Sequence, residues 1–233
     1  MIEKTTEETW VITGATQGIG LALTCAHLQR GGKVVACFRD KPGGALLKIC
    51  ETFPTQAVRV ALDQRNVPNP ISLREAITSP VEVIFNNAAV YGQRLSGTKN
   101  IDYENALDTL DVNVLGVMRA TNAFLPFMEF AAQPRILAVS SLLGTPAKAG
   151  PNDLPYRISK AALNMALQVL AAELVPNGIA VAAVRPGSVR TQMNPNGSIS
   201  PEESADLILP LVDGLKPELS PPFLDITGQR LAW

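Results

Sequence analysis

Short apolar runs rich in β-branched residues alternate along the chain with longer stretches in which apolar positions recur at helical spacing. The pattern predicts seven strands, at residues 10–13, 33–38, 57–62, 81–86, 135–140, 178–184 and 223–226. Because strands that alternate with helices form parallel sheets, we expect an α/β fold with a doubly wound, seven-stranded parallel sheet flanked by helices. Local proline clusters, at Pro68, Pro70 and residues 217–222, indicate loops, so residues 1–233 are predicted to form one domain.

Two of the helical stretches, residues 112–132 and 154–174, are apolar around much of their circumference. A helix that is covered on one face only should have a polar opposite face. We therefore expect both helices to meet partner helices in a second subunit, in a homodimer or homotetramer. Burial within the core of a large monomer is the alternative.

Composition and charge indicate that the binding partners are small molecules. The chain has 233 residues, 46% of them hydrophobic, which suits one large core, and a net charge of -1 with scattered basic residues gives no footprint for nucleic acid. Three cysteines without metal-ligand spacing indicate reduced thiols and no metal site. The chain begins with acidic and polar residues, and no apolar run approaches the roughly 18 residues of a membrane span, so we expect a cytoplasmic protein.

A glycine motif follows the first predicted strand and precedes a helix, the context in which such a motif predicts a dinucleotide site. Gly14 can form the tight turn, Gly18 lets the backbone approach a pyrophosphate, and Gly20 lets the helix pack close to the strand. The positive end of the helix would face the phosphates. The spacing is wider than in the commoner fingerprint of the Rossmann fold, and a purely structural turn is the alternative.

A second group of motifs can move a proton beside that site. Tyr156 and Lys160 are four residues apart, so on a helix they share one face. A cation about 4 Å from the phenol, at an effective dielectric constant of about 20, contributes about 4 kcal/mol. That energy would lower the tyrosine pKa by about three units, to near 7. Asp63 ends the third strand, where a carboxylate can accept a hydrogen bond from an adenine amino group.

With Asn113, Ser141 and the segment Asn86 to Ala89, these motifs make the chain resemble the short-chain dehydrogenase/reductase family over nearly its whole length. Its ending, from Phe223 to Trp233, is similar to that of C-factor and sniffer-type carbonyl reductases. The resemblance implies an NADP(H)-dependent oxidoreductase that reduces ketones and aldehydes to alcohols. Two departures are Ala89, where the family usually has glycine, and the stretch from residue 142 to 155.

The resemblance also implies residue roles. Tyr156 would donate the proton, Lys160 would assist it, Ser141 would bind the substrate oxygen, and Asn113 would hold a water that links Lys160 to solvent. Ser140 is the competing serine, but the reactive serine of the family is generally the second of such a pair. The implied cofactor-binding residues are Gly14, Thr16, Gln17, Gly18, Ile19, Gly20, Phe38, Arg39, Asp63, Asn87, Ala88, Tyr156, Lys160, Pro186, Gly187, Val189 and Thr191.

The end of the second strand favours NADP over NAD. Phe38 stands where NAD enzymes of the family usually have an acid, and the guanidinium of Arg39 can bind a 2′-phosphate. Gln17, which carries no positive charge, and the nearby Asp40 favour NAD, which remains the alternative.

Apolar residues are expected to line the substrate pocket, which indicates small or medium apolar ketones and aldehydes. The pocket residues are Tyr91, Leu142, Leu143 and Met193. His27, the only histidine, is expected on the surface of the first helix, away from any catalytic triad. A dinucleotide-binding signalling or sensor protein of C-factor type, with weak turnover, is the competing function, and a structural subunit is a third that nothing in the sequence favours.

Overall fold

A computed structural model describes residues 7–67 and 73–233, so Pro68 and Pro70 lie outside the described residues. The strands form one sheet in the order β3-β2-β1-β4-β5-β6-β7-β8. Strands β1 to β7 are parallel, and the order reverses direction between β1 and β4, which confirms the doubly wound sheet. The strands are β1 (Thr9–Ile12), β2 (Lys33–Phe38), β3 (Ala57–Ala61), β4 (Val83–Asn86), β5 (Arg135–Val139), β6 (Ala180–Arg185), β7 (Phe223–Asp225) and β8 (Arg230–Leu231).

The described residues form eight strands, one more than the seven predicted from the sequence. β8 has two residues and pairs antiparallel with β7. A tight turn joins the two strands: Gly228 has a φ of +83°, and its N–H donates to the carbonyl of Asp225 over 2.8 Å. A two-residue strand is too short to produce the alternation by which a strand is recognised in sequence.

Six α-helices are described, and one predicted helix is interrupted. The prediction of a helix over residues 154–174 is confirmed. Residues 112–132 instead contain a π-helical segment, Asp111–Leu115, then a helix, then a 3-10 turn at Leu125–Met128 that includes Pro126. The helices are α1 (Gly18–Gln29), α2 (Gly43–Thr52), α3 (Tyr103–Leu110), α4 (Gly116–Phe124), α5 (Leu154–Leu174) and α6 (Pro201–Asp213).

The helices cover both faces of the sheet, and alternate strand residues divide between two cores. Val11 and Ile84 face the core that Phe124 of α4 and Leu167 of α5 complete. On the opposite face, Trp10, Ile12 and Phe85 pack with residues of α1 and α6. Because the strands are parallel, the loops that follow β1, β4, β5 and β6 all leave the same edge of the sheet, which is where ligands bind in such folds.

The segment Leu154–Asn177 has the length of a membrane span, and an 18-residue window within it has a mean hydropathy of 1.3. It shows no continuous apolar run in the sequence because Arg157, Lys160 and Asn164 interrupt it. Its apolar side is packed in the core, where Leu163 and Leu167 are buried. Packing in the core therefore accounts for part of the hydropathy, while Met165 and Val169 of the same helix remain exposed.

His27 is buried, so the expectation of a surface residue was wrong. Its ring stacks on Trp10 with 4.1 Å between centroids. Its Nε2 lies 2.9 Å from the carbonyl of Glu8, and its Nδ1 accepts from the Nε of Arg30 over 3.0 Å, which requires a neutral ring with the proton on Nε2. Gly32 leaves space for the ring, since a Cβ there would lie 2.1 Å from Nε2. Burial lowers the pKa of His27 to about 3.

We predict that His27 makes the fold sensitive to acid. His27 binds a proton near pH 6.5 in the unfolded chain but only near pH 3 in the folded chain. Protonation therefore stabilises the unfolded state below pH 6.5, so the free energy of unfolding is highest above pH 6.5 and falls as the pH decreases. Between pH 7.5 and pH 5 the loss in free energy of unfolding from this residue is about 2 kcal/mol. Urea unfolding of wild type and His27→Gln at both pH values measures it. Equal pH dependence in the two proteins would contradict the assignment.

Candidate active site

The glycine loop adopts a backbone that requires glycine at two positions. Gly14 has a φ of +68° and Gly18 a φ of +53°, a region that other residues rarely adopt. Gly20 lies in the first turn of α1, where a Cβ would be 2.3 Å from the carbonyl oxygen of Gly14 and 2.6 Å from Nδ2 of Asn87. A side chain at any of the three positions would meet neighbouring protein atoms, so the glycines allow the loop and α1 to pack closely against Asn87 and Thr191.

Hydrogen bonds join this loop to the end of β4. The hydroxyl of Thr13 accepts from the backbone N–H groups of Asn87 and Ala88, each over 3.0 Å. The side-chain amide of Asn87 donates back to the carbonyl of Thr13 over 3.0 Å. Asn87 and Ala88, both predicted to bind cofactor, are therefore fixed beside the glycine loop by Thr13, which the sequence analysis did not single out.

The segment after β6 closes the other side of the loop. A Cβ on Gly18 would lie 3.2 Å from Cγ2 of Thr191, so these residues are neighbours. Gly187 has a φ of +83°, and Val189 is buried. Backbone N–H groups at a helix start, flanked by glycines and a threonine, form a cradle whose hydrogen-bond donors suit a pyrophosphate. Thr16, Gln17, Ile19 and Pro186 also lie in these two segments.

The end of β2 places a cation beside its own counter-ion. Arg39 donates through Nε to Asp40 over 2.8 Å, and both side chains are exposed. Phe38 is half-buried against the core. Farther along the same edge, one oxygen of Asp63 accepts from the backbone N–H of Arg65 over 3.0 Å. The sequence analysis did not identify Arg65 as the hydrogen-bond partner of Asp63, although it lies only two residues farther along the chain.

Tyr156 and Lys160 are both buried at the start of α5. The ammonium of Lys160 donates to the carbonyl of Val139 over 2.8 Å and lies 5.6 Å from the centroid of the Tyr156 ring. Burial lowers the pKa of Lys160 to about 8. The lysine is therefore mostly protonated at neutral pH.

The pKa of Tyr156 is raised, so the expectation of a value near 7 was wrong for the ligand-free protein. Burial is the largest cause, and the neighbouring Tyr91 raises it further. A hydrogen bond with Ser141 and the charge of Arg94 act in the opposite direction, and their effect is smaller. The charge of Lys160, whose ammonium lies 5.6 Å from the ring centroid, does not outweigh the effect of burial. Tyr156 is thus a protonated phenol at neutral pH, the form that can act as an acid.

The two serines after β5 point in different directions. Ser141 begins the 3-10 turn Leu142–Gly144, and its hydroxyl accepts from the N–H of Leu143 over 3.1 Å. The same side chain is close enough to Tyr156 to lower the pKa of its phenol. Ser140 is buried, and its hydroxyl donates to Asn164 over 2.5 Å. The geometry therefore brings Ser141, and not Ser140, beside the phenol.

Asn113 lies in the π-helical segment with its side chain already engaged. Its Nδ2 donates to the carbonyl of Val90 over 2.8 Å and to the hydroxyl of Ser159 over 3.0 Å. Its Oδ1 accepts from the N–H of Val90 over 2.8 Å. Both amide hydrogens are used, so only one lone pair of Oδ1 is left to bind a water. The side chain fixes the loop after β4, and its role in a proton relay stays a prediction.

All four residues predicted to line the substrate pocket are half-buried. The ring of Tyr91 stacks on Tyr156, with 4.3 Å between centroids. The hydroxyl of Tyr91 donates to Asp153 over 2.9 Å, and Arg94 donates to the carbonyl of Met193 over 2.6 Å. Asp153 and Arg94 were missed, since neither belongs to a motif and only the folded chain brings them to Tyr91.

Known proteins resemble this chain in both sequence and fold. The family model described as short chain dehydrogenase matches residues 8–200. The protein named C-signal from Myxococcus xanthus is 36% identical over 158 residues, which cover 67% of this chain and 95% of that protein. A carbonyl reductase from Pseudomonas aeruginosa in complex with NADP superimposes with a TM-score of 0.86 at 26% identity and covers 98% of this chain and 100% of that one. The carbonyl reductase Sniffer of D. melanogaster has a similar fold, with a TM-score of 0.87, 24% identity and coverage of 98% and 100%.

We predict opposite effects for one substitution at two helical glycines. Gly20→Ala places a methyl 2.3 Å from a backbone oxygen, so the loop must shift. Overpacking of this kind costs about 1–3 kcal/mol. Gly44→Ala meets nothing within 4 Å in α2 and should stabilise by about 0.5–1 kcal/mol. Denaturant unfolding of both variants measures the difference, and a Gly20→Ala protein as stable as wild type would show that the close packing is not required.

Proposed function

The chain belongs to the short-chain dehydrogenase family, and we propose that it is an NADP(H)-dependent carbonyl reductase that converts small or medium apolar ketones and aldehydes to alcohols. The observation that carries the proposal is the position of the protonated phenol of Tyr156. It lies near Ser141 and is buried at the sheet edge that also holds the glycine cradle. The NADP-bound carbonyl reductase from Pseudomonas aeruginosa supports the choice of cofactor.

The cofactor would be held by the two segments that form the cradle. Gly14, Gly18 and Gly20 leave the helix N-terminus open to the pyrophosphate, Thr191 would close over it, and Arg39 would bind the 2′-phosphate. Bound NADPH supplies a hydride. Lys160, buried near Tyr156, would contact the nicotinamide ribose.

The chain's own residues would move the proton. The carbonyl oxygen of the substrate accepts hydrogen bonds from the hydroxyls of Tyr156 and Ser141. As the oxygen gains negative charge, the O–H bond of Tyr156 breaks and its proton passes to that oxygen to form the alcohol. The ammonium of Lys160 stabilises the phenolate that remains. Because burial lowers the lysine pKa to about 8, this assistance is lost in more alkaline solution.

A second candidate follows from the protein named C-signal, which shares 36% identity over 158 residues. A dinucleotide-binding signalling protein with weak turnover would conserve the cradle and the fold. It would have no need of a buried phenol, hydroxyl and ammonium at one site. The retention of Tyr156, Ser141 and Lys160 therefore favours the reductase, and turnover distinguishes the two.

We also propose that the protein is a homodimer or homotetramer. Apolar side chains on the two helical stretches that were expected to meet a partner remain exposed, by 53% at Leu115, 63% at Met165 and 61% at Val169. Other apolar residues of the same helices, such as Phe124 and Leu167, are in the core. Exposed apolar residues on two helices are typical of a surface that a second subunit covers.

The proposed reaction predicts that Tyr156→Phe lowers turnover by orders of magnitude but leaves cofactor binding intact. A proton donor acts in the transition state, so its loss should lower kcat by about 10²- to 10⁴-fold. NADPH oxidation at 340 nm with a panel of aliphatic and aromatic ketones and aldehydes measures kcat, and fluorescence titration measures NADPH binding. Exposed Tyr103, replaced by phenylalanine, is the matched control. Full activity of Tyr156→Phe would refute the acid, and a strict preference for charged sugars or acyl-carrier thioesters would refute the substrate class.

Arg39 is predicted to determine the choice of cofactor. A charge-assisted hydrogen bond to phosphate contributes about 1.5–3 kcal/mol, so Arg39→Ala should weaken NADPH binding by roughly 10- to 150-fold. Binding of NADH, which has no phosphate there, should change little. The exposed pair with Asp40 is weak enough for a phosphate to displace it.

The double variant Phe38→Asp/Arg39→Ala restores a ribose acceptor and should turn the preference toward NADH. The measurement is the ratio of kcat/KM for the two cofactors at fixed ionic strength. A wild type that prefers NADH, or a ratio that does not respond to Arg39, would contradict this interpretation.

A further inference from the structure

Two tyrosine rings are stacked face to face at the proposed acid. The rings of Tyr91 and Tyr156 have centroids 4.3 Å apart and planes 9° apart. Tyr91 belongs to the loop after β4, whereas Tyr156 belongs to α5. The contact therefore depends on tertiary structure alone, and it covers one face of the phenol.

The ring of Tyr91 is itself held in place by α5. Its hydroxyl donates to Oδ2 of Asp153 over 2.9 Å. Asp153 immediately precedes α5 and has a φ of +60°, and its N–H donates to the carbonyl of Leu95 over 2.7 Å. Gly97 adds a third link, from its N–H to the carbonyl of Pro151 over 2.7 Å. The loop that carries Tyr91 is therefore tied to the residues from which the catalytic helix starts.

Arg94 covers the outer face of Tyr91. Its guanidinium carbon is 3.8 Å from the centroid of the Tyr91 ring. Since Tyr156 also lies within 4.3 Å of that centroid, the two groups must occupy opposite faces. The same guanidinium donates to the carbonyl of Met193, in the segment after β6. Arg94, Tyr91 and Tyr156 thus form a three-layer stack, and its outer member contacts the segment that borders the pocket.

We propose that Tyr91 is a positioning residue, which holds the phenol of Tyr156 in its reactive orientation and keeps water from its face, with Asp153 and Arg94 fixing Tyr91. This inference deepens the proposed function and rests on it, because it concerns the acid of that reaction. The alternative is that Tyr91 is only an apolar wall against which substrate packs. A wall affects substrate binding, whereas a positioning residue affects the catalytic step.

Kinetics separate these roles. Tyr91→Leu removes the ring, and we expect kcat to fall at least about tenfold with NADPH affinity unchanged, because a displaced acid fails in the transition state. Tyr91→Phe keeps the ring and loses only the bond to Asp153, so it should recover most of kcat. Arg94→Ala should reproduce part of the loss, and exposed Arg59→Ala on β3 should have none. A higher KM at unchanged kcat in Tyr91→Leu, or equal kcat in Arg94→Ala and Arg59→Ala, would overturn the proposal.

A titration tests the stack without turnover. The chain has three tyrosines, so Tyr91→Phe/Tyr103→Phe and Tyr91→Leu/Tyr103→Phe each retain only Tyr156. Absorbance at 295 nm, followed against pH with circular dichroism as the monitor of folding, reports ionisation of that phenol. With phenylalanine at position 91 we expect no ionisation before the protein unfolds, and with leucine we expect ionisation to begin in the folded protein. Identical titrations would overturn the shielding role.

The kinetic and titration experiments distinguish failure of the proposed function from failure of the positioning role. If wild type reduces no carbonyl compound, the proposed function is wrong, yet the titration still decides whether Tyr91 shields Tyr156. If wild type is active and Tyr91→Leu matches it in both kcat and titration, the proposed function stands and the positioning role is refuted.

Discussion

The hydrogen bonds between Thr13 and Asn87 are the constraint on which the site depends. They join the ends of β1 and β4, the two strands between which the sheet order reverses direction. At that reversal the following helices leave toward opposite faces, and a crevice opens at the sheet edge. Glycines at positions 14, 18 and 20 allow the loop and α1 to pack closely against the neighbouring segments at this edge. The cradle is therefore a consequence of topology, and the local residues only preserve it.

Burial sets the chemistry of the groups beside this crevice. The same desolvation that raises the pKa of Tyr156 lowers that of Lys160 to about 8. The phenol is kept neutral and the ammonium stays mostly protonated at neutral pH, so in the proposed reaction the proton that leaves the tyrosine would leave behind a phenolate near a cation in a medium of low polarity, where their attraction is strong. Because its raised pKa makes Tyr156 a weaker acid than a free tyrosine, the proposed proton transfer depends on this attraction to Lys160.

Sequence patterns were sufficient for the features that depend on local spacing. The i, i+4 separation of Tyr156 and Lys160 placed both on one face of α5, and the apolar runs located β1 to β7. They were insufficient where distant segments meet. Tyr91, from another loop, covers one face of Tyr156, and Arg94 covers Tyr91 in turn. The position of His27 depends on the space that Gly32 leaves. Neither the π-helical turn at Asn113 nor the two residues of β8 has a periodic signature.

We propose that NADPH bound to this chain gives a hydride, and Tyr156 gives a proton, to a carbonyl group. Isotope transfer tests this proposal most directly. NADPH that carries deuterium at both positions of nicotinamide C4 would be incubated with the wild-type protein and a ketone that it reduces. The account predicts an alcohol with one deuterium on the carbinol carbon, detected by mass spectrometry, and none from Tyr156→Phe over the same period. A wild-type protein that binds NADPH but forms no deuterated alcohol from any ketone or aldehyde would contradict the account and favour a dinucleotide-binding signalling protein.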